Sequence, residues 1–266
     1  MRVINMLYGE GLARDERSAT SSYGWGAAAL AIVVVGAAVA VGGLAGWAAW
    51  TSYDSWFGLN QPRAFAPGEM EALNASRLGV YLIAFEAGSL ATAVAAIAAF
   101  RRPGALLAPW APPRGGYRAV LVSALALLAF AGLYGAFVYL FDSEALANDV
   151  RPFAGLVRSG GWPLLAIAAV IGAPIAEETL FRGFLYGVLA ASPAGRRGAA
   201  IVTSALWAGL HASYSVYGLV AIFLIGLYLA RMREKSGSLI PSLVCHSLYN
   251  AIVVAALALS PEEVLG

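Results

Sequence analysis

Charge is scarce in this chain. Of its 266 residues only 12% are Asp, Glu, Lys or Arg, while 60% are apolar. A soluble domain carries about a quarter of its residues as charges, so this composition excludes a water-soluble globule. The same apolar excess excludes a disordered chain. Cysteine is scarcer still: Cys245 stands alone and cannot close an internal bridge, which rules out a disulfide scaffold. The net charge of +2 leaves no basic face for nucleic acid, so no nucleic-acid partner is expected. Neither a fixed-period repeat nor a linker long enough to separate folded domains is present. The chain reads as one membrane domain.

Long apolar runs are abundant instead, and the mean hydropathy is +0.73. A spanning helix needs roughly 20 apolar residues, and such runs occupy Gly24 to Trp50 and residues 78–100, 118–141, 161–190, 199–213, 215–230 and 238–259. They predict an all-α, polytopic helical membrane protein with about seven transmembrane helices, six to eight being compatible with the runs. The first run is too long for a signal-peptide core and reads as an uncleaved helix. Pro174 predicts a kink in the fourth run. No charge separates the short fifth and sixth runs, whose boundary falls near Tyr214. Closed barrels would show alternating ten-residue segments, which are not seen.

Lys and Arg alternate across these runs with a bias of twelve to four, with Arg2, Arg14, Arg17, Arg101, Arg102, Arg114, Arg196 and Arg233 among the majority and Arg63, Arg77, Arg151 and Arg158 opposite. The positive-inside rule then puts the N-terminus in the cytoplasm and the C-terminus outside a cell membrane. Glu262 and Glu263 fall on the outer, acidic side. We divide the chain into a cytoplasmic segment 1–23, N-terminal transmembrane helices 24–150 and a C-terminal transmembrane region 151–266 within the same domain. The loop 101–116, with Pro103, Pro109, Pro112 and Pro113, reads as a rigid cytoplasmic connection.

Few charges are left inside the runs: Glu86, Glu177, Glu178 and Arg182, with both histidines of the chain, His211 and His246. Intramembrane ionisable groups are costly and usually face the bundle interior. Glu178 and Arg182 are four residues apart in acid-before-base order, and so share a helix face. Glu177 lies about 100° away from that face and is left for another task. Trp207 with His211, and His246 with Asn250, are again spaced by four. Counted from the cytoplasmic helix ends, Glu177, His211 and His246 lie roughly 12 to 21 Å deep, in the cytoplasmic half or near the midplane.

A glutamate can take a proton from water while imidazole and amide groups stabilise a developing oxyanion. Glu177, His211 and His246 could instead hold a catalytic zinc ion. Against both stand plainer readings: a buried structural ion pair for Glu178 and Arg182, interhelical hydrogen-bonding for His246 and Asn250, and a packed aromatic for Trp207. Cys245 points about 100° from His246, which argues against a nucleophilic pair. Glu86 has no partner nameable from the sequence. Gly42 with Gly46, and Gly183 with Gly187, have the spacing of close helix contacts.

EETLFR from Glu177 to Arg182, WAGLH from Trp207 to His211 and HSLYN from His246 to Asn250 resemble the three motifs of the CAAX-protease and bacteriocin-processing (CPBP, abortive-infection) family of intramembrane proteases. The likeness covers about residues 160–258. It implies that Glu177 activates water, Glu178 orients Arg182, His211 assists the base or positions the water, and His246 and Asn250 form an oxyanion hole. It also implies a membrane-associated or lipidated peptide or protein as substrate, met in this reading from the cytoplasmic face, beside membrane lipid as surroundings. Trp207 departs from the Phe that the family prefers. Metal-free and zinc-dependent mechanisms both remain open to these residues. A proton-coupled transporter and a non-catalytic peptide-binding scaffold are the alternative functions.

Overall fold

The computed structural model describes residues 23–61, 64–100 and 108–259. Residues 1–22, Arg63, Arg101, Arg102, Pro103, Glu262 and Glu263, on which parts of the topology reading rest, lie outside the described residues. Among the described residues eight helices are seen and no strand: α1 (Trp25–Trp56), α2 (Glu69–Phe100), α3 (Gly116–Phe141), α4 (Ser143–Arg158), α5 (Trp162–Ala190), α6 (Gly195–Gly209), α7 (Val216–Ser236) and α8 (Ile240–Leu259). Lipid offers the backbone no hydrogen-bond partners, so continuous Ala, Leu and Val runs can only close their own bonds as helices. Large apolar side chains such as Leu44, Leu133 and Leu140 are exposed on the outside of the bundle, as lipid contact requires.

Six of these helices are long and apolar enough to cross a membrane, all except α4 and α6. The expected seventh span, 199–213, is the 15-residue α6, shorter than a full crossing and displaced towards the N-terminus. It nevertheless runs the depth of the bundle. Its start meets the end of α7, where Arg196 lies 3.8 Å from Glu234. The chain leaving it reaches Ser215, whose backbone N–H donates to Asp149 of α4 at 2.6 Å. The alternation of directions read from the sequence is therefore kept, with one short member.

Two ends of the bundle follow from such contacts. One joins the start of α3 to the end of α7, through Arg114 N–H to Ser236 O at 2.9 Å, and the start of α1 to the end of α2, through Tyr23 Oη to Phe100 O at 2.6 Å. We call it the cationic end, since Arg114, Arg118, Arg196, Arg197, Arg231, Arg233 and Lys235 lie there. The other end carries Asp54, which pairs with Arg77 at 3.1 Å, and all of α4.

Between the apolar runs 118–141 and 161–190, the residues Ser143–Arg158 form a helix of their own. Asp142 caps α4, accepting from Ala145 N–H at 2.9 Å, and Leu146, Val150, Phe153 and Val157 recur at helical spacing to form its apolar face. The close helix pair is α1 with α2. A Cβ on Gly46 would stand 2.7 Å from the Tyr81 ring, and Gly88 packs against Gly42, so the expected glycine contact is used.

The long α5 does not simply kink at Pro174. Two π-helical stretches, Ala168–Gly172 and Glu178–Leu185, flank a short α-helical stretch Ala173–Glu177. Pro174 has no N–H to donate to the preceding turn, so the ladder is broken there in any case. Wider π turns are common where a helix re-aims functional side chains. Every residue from Glu178 to Leu185 is buried, which makes α5 the centre of the bundle.

Candidate active site

Glu177 is the last residue of the α-helical stretch of α5, and Glu178 the first of the second π stretch. Their surroundings differ as the spacing predicts. Glu178 is fully buried, and its Oε1 accepts from Arg182 Nη1 at 3.0 Å and meets His246 Nδ1 at 3.2 Å. Arg182, also fully buried, donates from Nη2 to Gly226 O at 3.4 Å and lies 4.5 Å over the Trp207 ring. Charge, hydrogen bonds and a ring face thus hold this guanidinium inside the bundle. Glu177 instead faces His246 Nε2 at 3.9 Å, and its side chain keeps 23% of its surface accessible, on the wall of a cavity.

Trp207 is the residue whose role sequence reasoning misses, because spacing alone makes it a packed aromatic. Its indole Nε1 donates to Glu177 Oε2, and its ring meets those of His211 and His246 edge-on, with centroids 5.5 and 5.3 Å away. The departure from Phe is the available signal, because indole adds an N–H that a phenyl ring lacks.

The histidine tautomers follow from their partners. His211 Nδ1 lies 3.0 Å from the Trp207 carbonyl, which can only accept, so Nδ1 carries the proton and Nε2 of the neutral ring is an acceptor. His246 Nδ1 faces the Glu178 carboxylate, so it too is protonated. Its Nε2, 3.9 Å from Glu177 Oε2, donates only when the ring is an imidazolium. Asn250 donates through Nδ2 to Ala169 O at 2.7 Å, in the first π stretch of α5, and its second amide hydrogen is not used by that bond.

Glu177, His211, His246 and Asn250 all line one cavity of about 470 Å³. Glu178 and Arg182 lie behind its wall. The remaining lining is largely apolar and comes from α2, α3, α4, α7 and α8 as well as α5. The cavity reaches towards Asp149, Tyr214 and Tyr217, which belong to the α4 end.

The zinc reading requires Glu177, His211 and His246 to converge on one ion. Here Glu177 Oε2 takes an indole N–H, while the Nδ1 contacts of His211 and His246 leave Nε2 of each ring free. No group of three His, Cys, Asp or Glu side chains among the described residues is gathered as a metal site. The three side chains are thus not drawn together on one point, and the chemistry proposed below uses protein groups and water.

Fold and site together define a multi-pass helical membrane protein with acid, imidazole and amide groups converging inside the bundle. Residues 159–252 match the family described as type II CAAX prenyl endopeptidase Rce1-like. All three motifs fall within that stretch, which bears out the resemblance to the CAAX-protease family. The likeness supports an intramembrane protease acting on a membrane-associated protein. No curated protein and no solved structure matches the chain.

Proposed function

We propose that this protein is an intramembrane endopeptidase that hydrolyses a peptide bond of a membrane-associated or lipidated protein by glutamate-activated water. The observation that carries the reading is the convergence of Glu177, His211, His246 and Asn250 on one cavity within the stretch that resembles the CAAX prenyl endopeptidases. Glu177 takes a proton from a water held by the acceptor Nε2 of His211. The water oxygen forms a bond to the peptide carbonyl carbon, and the carbonyl oxygen becomes an oxyanion. His246 Nε2–H of the imidazolium and the spare Asn250 amide hydrogen stabilise that charge. Glu177 then gives its proton to the leaving nitrogen as the C–N bond breaks, and is restored as a carboxylate.

Glu178 and Arg182 serve as positioning residues: the pair holds the His246 ring and fixes the Trp207 face behind Glu177. In this reading 24–150 are supporting helices and 151–266 the catalytic region of one domain. The positive-inside rule supports a cytoplasmic cationic end, with segment 1–23 on that side and the C-terminus outside. The peptide then enters at the α4 end.

The test is cleavage of an internally quenched peptide with a prenylated cysteine four residues from its C-terminus, beside the same peptide without the prenyl group. Comparative membrane proteomics of wild-type and Glu177→Ala cells extends it to native substrates. New termini that require Glu177 are expected. Cleavage retained by Glu177→Ala would sink the proposal.

A further inference from the structure

Glu86 sits in the middle of α2, outside the stretch that resembles the protease family, and lines the same cavity as Glu177. It is only 7% exposed, and its Oε2 has no hydrogen-bond partner among the described residues. The carboxylate is pressed against the backbone of Gly172, where a Cβ would collide with Oε2. Gly172 ends the π stretch whose Ala169 carbonyl holds Asn250, so Glu86 and Asn250 border the same turn of α5.

The other polar groups that α2, α3 and α4 contribute to the cavity are already engaged. The Ser89 hydroxyl donates to Ala38 O at 3.1 Å, and the Tyr134 hydroxyl to Tyr217 O at 2.9 Å. Both Asp149 oxygens accept from Ser215, at 2.6 and 2.8 Å. The Arg182 guanidinium behind the wall is committed to Glu178 and Gly226. A buried carboxyl oxygen without a donor is unfavourable and gains most from a ligand that brings one.

We propose that Glu86 is a substrate-binding residue that accepts a backbone N–H of the peptide beside the scissile bond. The inference rests on the protease reading and adds to it that the N-terminal helices take part in recognition. The peptide arrives with unpaired N–H groups, and an apolar cavity leaves them few other acceptors. Binding of the peptide therefore satisfies Glu86 and the peptide together.

The experiment compares wild type, Glu86→Leu, Glu86→Gln and Gly172→Ala, each in lipid nanodiscs, on the quenched prenylated peptide. Glu86→Leu is expected to raise KM about tenfold, as loss of one buried hydrogen bond predicts, with kcat changed less than about threefold. Glu86→Gln keeps a carbonyl oxygen and recovers part of that loss. Gly172→Ala, which displaces the carboxylate, shifts KM the same way with α2 unchanged. Binding of the uncleaved peptide to Glu177→Gln, with and without Glu86→Leu, gives the matching affinity ratio by fluorescence anisotropy. Unchanged KM in Glu86→Leu, or a fall in kcat alone, overturns the proposal while wild-type cleavage upholds the protease reading. Absence of wild-type cleavage and binding overturns both.

Discussion

Glu177 and Glu178 are neighbours with the same side chain, yet the structure gives them different surroundings, and amide substitution tests the separate duties proposed for them. In Glu178→Gln the buried Arg182 loses the carboxylate it touches, 3.0 Å away at zero exposure. Breaking a buried pair by removing one charge costs about 3–5 kcal/mol. The glutamine carbonyl can still accept from Arg182, so the lower figure of about 3 kcal/mol applies. At about 2–4 °C per kcal/mol for a chain of this size, the midpoint falls by about 6–12 °C.

Glu177→Gln loses a partly exposed charge that faces an indole N–H and a cavity, and its amide oxygen can take over that bond. Its cost is about 1 kcal/mol or less, a shift of about 2–4 °C at most. Its kcat should instead fall by about a hundredfold or more, the range expected for a lost general base. The assay is thermal unfolding followed by tryptophan fluorescence in nanodiscs, with peptide cleavage measured on the same samples at a temperature where both variants are folded. Equal midpoint shifts, or a stable Glu178→Gln protein, would refute the division of labour.

Trp207→Phe should lower kcat about tenfold with little change in KM or in the unfolding midpoint, because the ring faces remain while the donor to Glu177 is lost. A change in kcat below twofold would remove Trp207 from the machinery. Gly46→Leu should lower the unfolding midpoint through a cost of about 1–3 kcal/mol, since α1 cannot approach α2 past the Tyr81 ring; an unaltered midpoint would show that the two helices are free to separate. Glu144→Cys should react with a membrane-impermeant maleimide on intact cells, and Arg196→Cys only after permeabilisation. Cys245, 1% exposed, provides a silent background, and the reverse pattern would invert the proposed orientation.

Local rules make much of this legible. The runs ending at Phe100, Phe141, Ala190 and Leu259 coincide with helix ends, because in lipid an apolar run and a helix are nearly the same object. The Glu178–Arg182 pair is readable from a four-residue spacing and survives even in a π turn. Charge is a poor guide to helix ends: α7 continues past Arg231 to Ser236 and stops at Gly237, whose φ of 68° ends the helix. The Ser215 cap of α7, accepting from Gly218 N–H at 3.1 Å, marks the boundary that hydropathy near Tyr214 blurs. The setting of Glu86, the Trp207 donor and the engaged Asn250 amide are not legible, since each depends on which helices meet, and one-dimensional spacing carries no such information.

The shortness of α6 has a consequence for the water that hydrolysis needs. Fifteen residues rise only about 22 Å, against a hydrocarbon layer of about 30 Å. Lipids beside a short span adjust by compressing towards it. His211 lies just beyond the end of this helix, so any such thinning would fall next to the cavity. On the proposed function, the water that must reach Glu177 would then have less hydrocarbon to cross.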